Sequence, residues 1–175
     1  MVPAIETERL RLRGHELADF PASAAMWADP EVTRYIGGAP SSREDSWARF
    51  LRYSGHWALL GFGYWLIEEK ASGRFVGEAG FGDFKREIAP SLEGAPEQGW
   101  VLAPWAHGQG YASEAARATL AWAQAHFGAV ATVCMIAPNN KASIRVAEKL
   151  GYGEFARTTY KGAPTILFSR PALRK

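Results

Sequence analysis

The segment from Glu97 to Gly151 constrains the fold of this 175-residue chain more than any other. Glu97–Ala103, EQGWVLA, reads as a strand and is ended by Pro104. A loop holding Gly108 and Gly110 then leads straight into Ala112–Phe127, where alanines 112, 115, 116 and 123, with Leu120 and Phe127, recur at helical spacing. Gly128 sits where a C-terminal cap belongs, and the β-branched run Val130–Ala137 reads as a buried strand. Asn140 caps a second helix, Ala142–Leu150, which Gly151 stops. Strand, helix and strand joined in this way place the two strands parallel in one sheet.

The flanking segments pair differently. Ile5–Arg13 alternates Leu10 and Leu12 with Arg9, Arg11 and Arg13, the pattern of a first strand. Glu16–Trp27 has helical spacing, broken at Asp29-Pro30. Ser41–Asp45 starts a further helix, expected to carry Trp47, Phe50, Leu51 and Ser54 on one face. Gly63–Glu69 and Phe75–Phe81, joined at Ala71-Ser72-Gly73, read as a hairpin, and Asp83–Pro96 as a surface loop. Two more strands are predicted near Phe155–Tyr160 and Thr165–Ser169. The expected fold class is α/β with a mixed sheet, antiparallel at first and parallel in the middle, in one domain over residues 1–175.

Several function classes drop out on composition. A net charge of +2 with scattered basic residues lacks the stripe that a nucleic-acid protein needs. One cysteine, Cys134, and four histidines without metal-ligand spacing provide no disulfide framework and no metal site. No apolar run approaches membrane-spanning length, and the N-terminal MVPAIETERLRLR is unlike a signal peptide, so the expected location is cytoplasmic.

The loop before the long helix is the candidate for chemistry. Backbone N–H groups at a helix start have no intrahelical partner and the dipole there is positive. Together with the close approach that Gly108 and Gly110 permit, His107–Ser113 is suited to cradle phosphate oxygens. Taken alone it fits a tight turn without a ligand equally well. A nucleotide-hydrolase phosphate loop requires Gly-Lys-Ser/Thr, and Gly110-Tyr111-Ala112 has no lysine. A dinucleotide fingerprint requires an acid at the end of the next strand, which here reads Ile136-Ala137-Pro138-Asn139.

The string from Glu97 to Ala115, E-x-G-W-V-L-x-P-x-x-x-G-x-G-Y-A-x-E-A, followed by Asn140, Ser143 and Glu148–Tyr152, resembles the GNAT superfamily of N-acetyltransferases. Glu6–Arg13, Asp29–Ile36 and Phe75–Phe81 extend the likeness, which is similar in particular to the RimJ/RimL-like ribosomal-protein-alanine N-acetyltransferases. The resemblance implies acetyl-CoA as the acetyl donor, an amine acceptor and no metal. It places the CoA pyrophosphate on His107, Gly108, Gln109, Gly110, Tyr111, Ala112 and Ser113. Pantetheine would lie between splayed strands at Trp100–Leu102 and Val133–Ile136. A main-chain N–H near Val101 or Leu102 would meet the thioester oxygen, and Asn140 would touch the CoA arm. The acceptor it implies is a protein N-terminus or a small-molecule amine, served by a monomer or homodimer.

Two positions depart from the family pattern. His107 replaces a glutamine or arginine, and Ala147 stands where many members carry an acidic tyrosine. Glu97 matches a recurrent family acid and is the candidate base; its alternative is a solvated glutamate at a strand end. Ser143 is a candidate near the leaving thiol, or an ordinary first-turn serine. Cys134, in a β-branched strand, reads as core rather than as an acyl carrier. Trp27 and Tyr35 flank a region that borders the acceptor in the family, and core packing is the alternative. A non-catalytic acyl-CoA-binding or sensor module on the same fold remains the rival to an enzyme.

Overall fold

A computed structural model describes residues 1–172. Its sheet has eight strands in the order β1-β2-β3-β4-β5-β6-β8-β7. These are β1 (Ile5–Glu6), β2 (Leu10–Arg13), β3 (Tyr64–Glu69), β4 (Phe75–Gly82), β5 (Glu97–Leu102), β6 (Thr132–Ile136), β7 (Gly153–Tyr160) and β8 (Ala163–Arg170). All neighbours are antiparallel except β5 and β6, as expected of two strands joined through a helix.

Strand alternation decides what each face offers. Glu78 on β4 is opposite Val101 on β5, and Gly80 is opposite Gly99, so Glu78, Gly80, Glu97, Gly99 and Val101 share one face. Ala79, Phe81, Gln98, Trp100 and Leu102 point the other way. There they pack under helices α4 (Tyr111–Phe127) and α5 (Lys141–Lys149). The small residues Ala115, Ala116 and Ala123 let α4 lie close on the sheet, while Trp65, Ile67 and Leu12 fill the space beneath it. The opposite face receives α1 (Phe20–Trp27), the short α2 (Pro30–Thr33) and α3 (Arg43–Leu60).

Local chemistry explains the boundaries. Ser42 caps α3 by accepting from the Asp45 N–H at 3.0 Å, and Gly61 ends it in the left-handed region. Asn140 caps α5 in the same way, its Oδ1 accepting from the Ser143 N–H at 3.2 Å.

The structure corrects three expectations. The strand expected over Ile5–Arg13 is a tight hairpin, because Thr7 bonds Leu10 through its N–H and its hydroxyl and reverses the chain. The helix expected over Glu16–Trp27 opens as a 3-10 turn at Leu17–Asp19 before α1. On α3 the buried stripe is Ser46, Phe50, Tyr53 and His56, whereas Trp47, Leu51 and Ser54 are exposed. A helix has two apolar stripes to choose from here, and only the packing of α1 selects one. Of the two residues flanking Asp29-Pro30, Trp27 is buried in the core and Tyr35 is exposed.

Candidate active site

The start of α4 is built to meet an anion. Gly110 is its N-terminal cap, at φ 82° and without a capping side chain, and the helical ladder begins only with the Glu114 N–H to the Gly110 carbonyl. The N–H groups of Tyr111, Ala112 and Ser113 are therefore unspent by the helix. A Cβ on Gly108 would meet no heavy atom within 4 Å, so the approach is open. These features fit the pyrophosphate of a CoA thioester.

The residues around this loop are more constrained than their spacing revealed. His107 sets its Nε2 at 2.9 Å from the Leu102 carbonyl, which obliges that nitrogen to donate, and its Nδ1 at 3.6 Å from Glu31. It braces the end of β5. Gln109 donates to the Trp105 carbonyl, and the Tyr111 ring is buried with its hydroxyl on Glu69. Arg9, absent from the sequence-based set, pairs with Glu114 at 2.6 Å and donates to the Gln109 carbonyl at 2.9 Å. Its place in a strand of alternating arginines marked it only as a surface charge.

Beyond this loop the sheet opens. The one registered pair between β5 and β6 is Glu97 with Val133, supported by the Val133 N–H donating to the Pro96 carbonyl at 3.1 Å. From Gln98 onward the strands part, leaving Trp100, Val101 and Leu102 along one arm of a fork. Asn140 and Ser143 follow the C-terminal end of β6, at the same edge of the sheet as the loop after β5. At the closed end, Gln98 donates to the Ala116 carbonyl at 2.7 Å and accepts from the Tyr152 hydroxyl at 2.8 Å, which also meets Thr132. This buried network holds the two arms to α4. Cys134 is 1% exposed, and burial followed by the nearby Glu97 charge pushes its thiol well up, which suits a core residue and not a nucleophile. Ala147 is fully buried among Phe81, Cys134 and Ile136, so that position supplies no acid.

The other side of the fork is polar. Glu97 is held by a two-pronged pair with Arg86, at 2.5 Å from Nε and 2.7 Å from Nη2. Both border a cavity of about 210 Å³, lined also by Gly82, Phe84, Lys85 and Leu92. Above β5, a Cβ on Gly99 would lie 2.0 Å from the Tyr64 hydroxyl, so only glycine leaves room for that ring. Tyr64 stacks on Tyr53 at 4.7 Å, and burial, then the Glu97 charge, raises its phenol.

Glu78, also missed, is the carboxylate nearest Val101 in the sheet register. It is fully buried and accepts from Ser23 at 2.6 Å and from the Trp27 indole at 2.9 Å, with His15 at 3.4 Å. Desolvation drives its pKa upward, but His15, Ser23 and Trp27 outweigh that and hold it below the ordinary range. A glutamate inside the otherwise apolar FVGEAGF strand was the available signal.

Comparison with known proteins agrees with this geometry. Residues 9–153 match the family model of the acetyltransferase (GNAT) domain. The uncharacterized protein YkkB of Bacillus subtilis is 33% identical over 169 residues, covering 94% of this chain and 93% of its own length. An acetyltransferase from Agrobacterium tumefaciens superposes with a TM-score of 0.83 at 29% identity, over 97% of this chain and 95% of that one. The fold is shared as well with RimL, a ribosomal L7/L12 alpha-N-protein acetyltransferase solved with coenzyme A, at TM-score 0.76 and 18% identity over 97% and 98% of the two chains. A fork of two parallel strands facing an uncapped glycine-led helix start, in a chain matched over most of its length, places this protein in the GNAT family of acetyltransferases.

Proposed function

We propose that this acyltransferase moves an acetyl group from acetyl-CoA to a primary amine by direct attack within a ternary complex. The observation that supports it best is the fork itself. It opens towards the uncapped start of α4 on one side and carries Glu97 and its cavity on the other. Donor and acceptor thus have separate approaches to one gap in the sheet.

The thioester supplies an activated acetyl group when bound. Gly108, Gln109, Gly110, Tyr111, Ala112 and Ser113 present their main-chain N–H groups to the pyrophosphate, with His107 and Arg9 holding the loop in shape. Trp100, Val101 and Leu102 line the pantetheine arm, and a Val101 or Leu102 N–H steadies charge on the carbonyl oxygen. Asn140 spends its Oδ1 on the α5 cap, leaving its amide N–H₂ for the CoA arm.

An attacking amine must lose a proton, since its pKa is about 8 for an α-amine and about 10.4 for a lysine side chain. Glu97 is the base. It lies four positions before Val101, roughly 13 Å along the strand, so it works through a chain of several waters. Arg86 occupies one acceptor site on each Glu97 oxygen, and each oxygen keeps a second. The leaving thiolate resembles one with a pKa of about 8.5 and needs no dedicated acid; Ser143 has a minor part.

Isothermal titration with acetyl-CoA tests the donor half. Micromolar binding is expected, with at least a tenfold loss on Gly110→Leu, where a side chain at positive φ disturbs the cradle. Absence of binding to the unaltered protein would remove the acetyl-transfer reading.

A further inference from the structure

Two arginines of α3, Arg49 and Arg52, make no direct contact with a carboxylate among the described residues. Arg49 of α3 is half-buried, with its guanidinium carbon 3.7 Å from the centre of the Trp27 ring. Its side-chain hydrogen bond is a long one, 3.3 Å to the Ser41 hydroxyl. Among the described residues, neither Arg49 nor Arg52, three residues further along α3, forms an ion pair. Of the other half-buried arginines, Arg13 has Asp19 and Glu68 and Arg86 has Glu97, while Arg170 donates to the Leu150 carbonyl. Desolvation draws Arg49 below the usual guanidinium range, with Arg52 adding to it and the more distant charges of Glu78 and Asp45 opposing it. Burying a charge without its counter-charge is unfavourable, and a ligand that supplies the counter-charge relieves it.

Both arginines lie over the face of the sheet that carries Glu97, Gly99 and Val101. Trp27, beneath Arg49, packs with Val101 and Ala103 at the open end of β5. Tyr53, next to Arg52, stacks on the Tyr64 ring that covers Gly99. Arg52 lies 5.4 Å from the centre of the Phe84 ring, which borders the cavity beside Glu97. A guanidinium resting on an aromatic face keeps its N–H fork for a planar carboxylate.

We propose that the acceptor is a small amine bearing a carboxylate, of the amino-acid class, and that Arg49 and Arg52 hold this carboxylate while the amine faces the open end of β5. The inference rests on the acetyl-transfer reading above and adds the substrate class to it. The amine of a peptide N-terminus has no carboxylate on its own α-carbon, and a polyamine has none at all, so both would leave the arginines uncompensated.

The test measures CoA release with saturating acetyl-CoA for each common amino acid, its C-terminal amide, and a tripeptide amide with the same first residue. At least one free amino acid should exceed its amide in kcat/KM by about 10- to 100-fold, the worth of a charge-assisted hydrogen-bond pair. Arg49→Met and Arg52→Gln should each bring that ratio towards one. The second variant sits at an exposed position and guards against misfolding of the first. Calorimetry with acetyl-CoA on the same samples reports whether the donor half-site is intact. Equal rates on acid and amide, a preference for the tripeptide amide, or equal loss of both rates in Arg52→Gln overturns the proposal. So does a lack of amino-acid turnover in protein that binds acetyl-CoA, whereas failure to bind acetyl-CoA overturns the reading beneath it.

Discussion

Glu97 shows how one side chain serves two demands. Its pair with Arg86 ties the start of β5 to the 83–96 connection, and the same carboxylate borders the cavity lined by Phe84 and Leu92. Replacing it by glutamine keeps the size and one acceptor but removes the proton-accepting charge. Glu97→Gln should lower turnover about 10²-fold, chiefly below pH 8 where the amine is protonated, with acetyl-CoA affinity retained. A pH–rate profile from 6 to 10 checks this, and an unchanged profile would take Glu97 out of the chemistry. Ser143→Ala, by contrast, should change turnover only modestly, because the main-chain N–H of Ser143, not its hydroxyl, makes the cap with Asn140. Total loss of activity in that variant would show the hydroxyl to be required.

At the scale of elements, the helices differ in how their starts are closed. The starts of α3 and α5 are closed by Ser42 and Asn140, whereas α4 begins at a glycine with no capping side chain. Ser42→Ala removes a bond to the Asp45 N–H and should cost about 1 kcal/mol. For a chain of this length that lowers Tm by about 2–4 °C, readable by thermal denaturation. The caps of α3 and α5 were legible in the sequence because a cap is a local contact. The buried stripe of α3 was not, because Trp47 and Leu51 are as apolar as Phe50 and only the position of α1 selects between them.

Across the whole molecule, three carboxylates tie one element to another. Glu114 joins α4 to the β1–β2 turn through Thr7 and Arg9, Asp19 is paired with Arg13, and Glu78 joins β4 to α1. Desolvation raises each pKa, but the hydrogen bonds and cations around them prevail and hold all three below their ordinary values. A carboxyl whose folded pKa lies below its unfolded one contributes stability above about pH 4, and loses it as pH falls through the folded value. Urea denaturation should therefore give a constant stability from pH 5.5 to 8 and a decline below pH 4. Glu114→Gln should shallow that acid slope by up to about 1.4 kcal/mol per pH unit, the contribution of one proton. An unaltered slope would show that the Glu114 pair adds nothing to acid sensitivity.

The order of elements from α3 onward, the parallel pair and the glycine-led helix start were readable from sequence, because each depends on local periodicity, turn residues and chain connectivity. Glu97 was legible as well, through its place at the head of a strand. The sequence carried no sign that Glu97 would meet Arg86, that Arg9 would reach Gln109 and Glu114, or that Glu78 would be sealed beneath α1. Those contacts join residues from 11 to 105 positions apart, and side-chain chemistry alone leaves many partners open for each. Only the packing of α1 and α3 on one face and α4 on the other decided which charges found counter-charges. The same packing set Arg49 and Arg52 against the Trp27 and Phe84 rings, with no ion pair to either among the described residues.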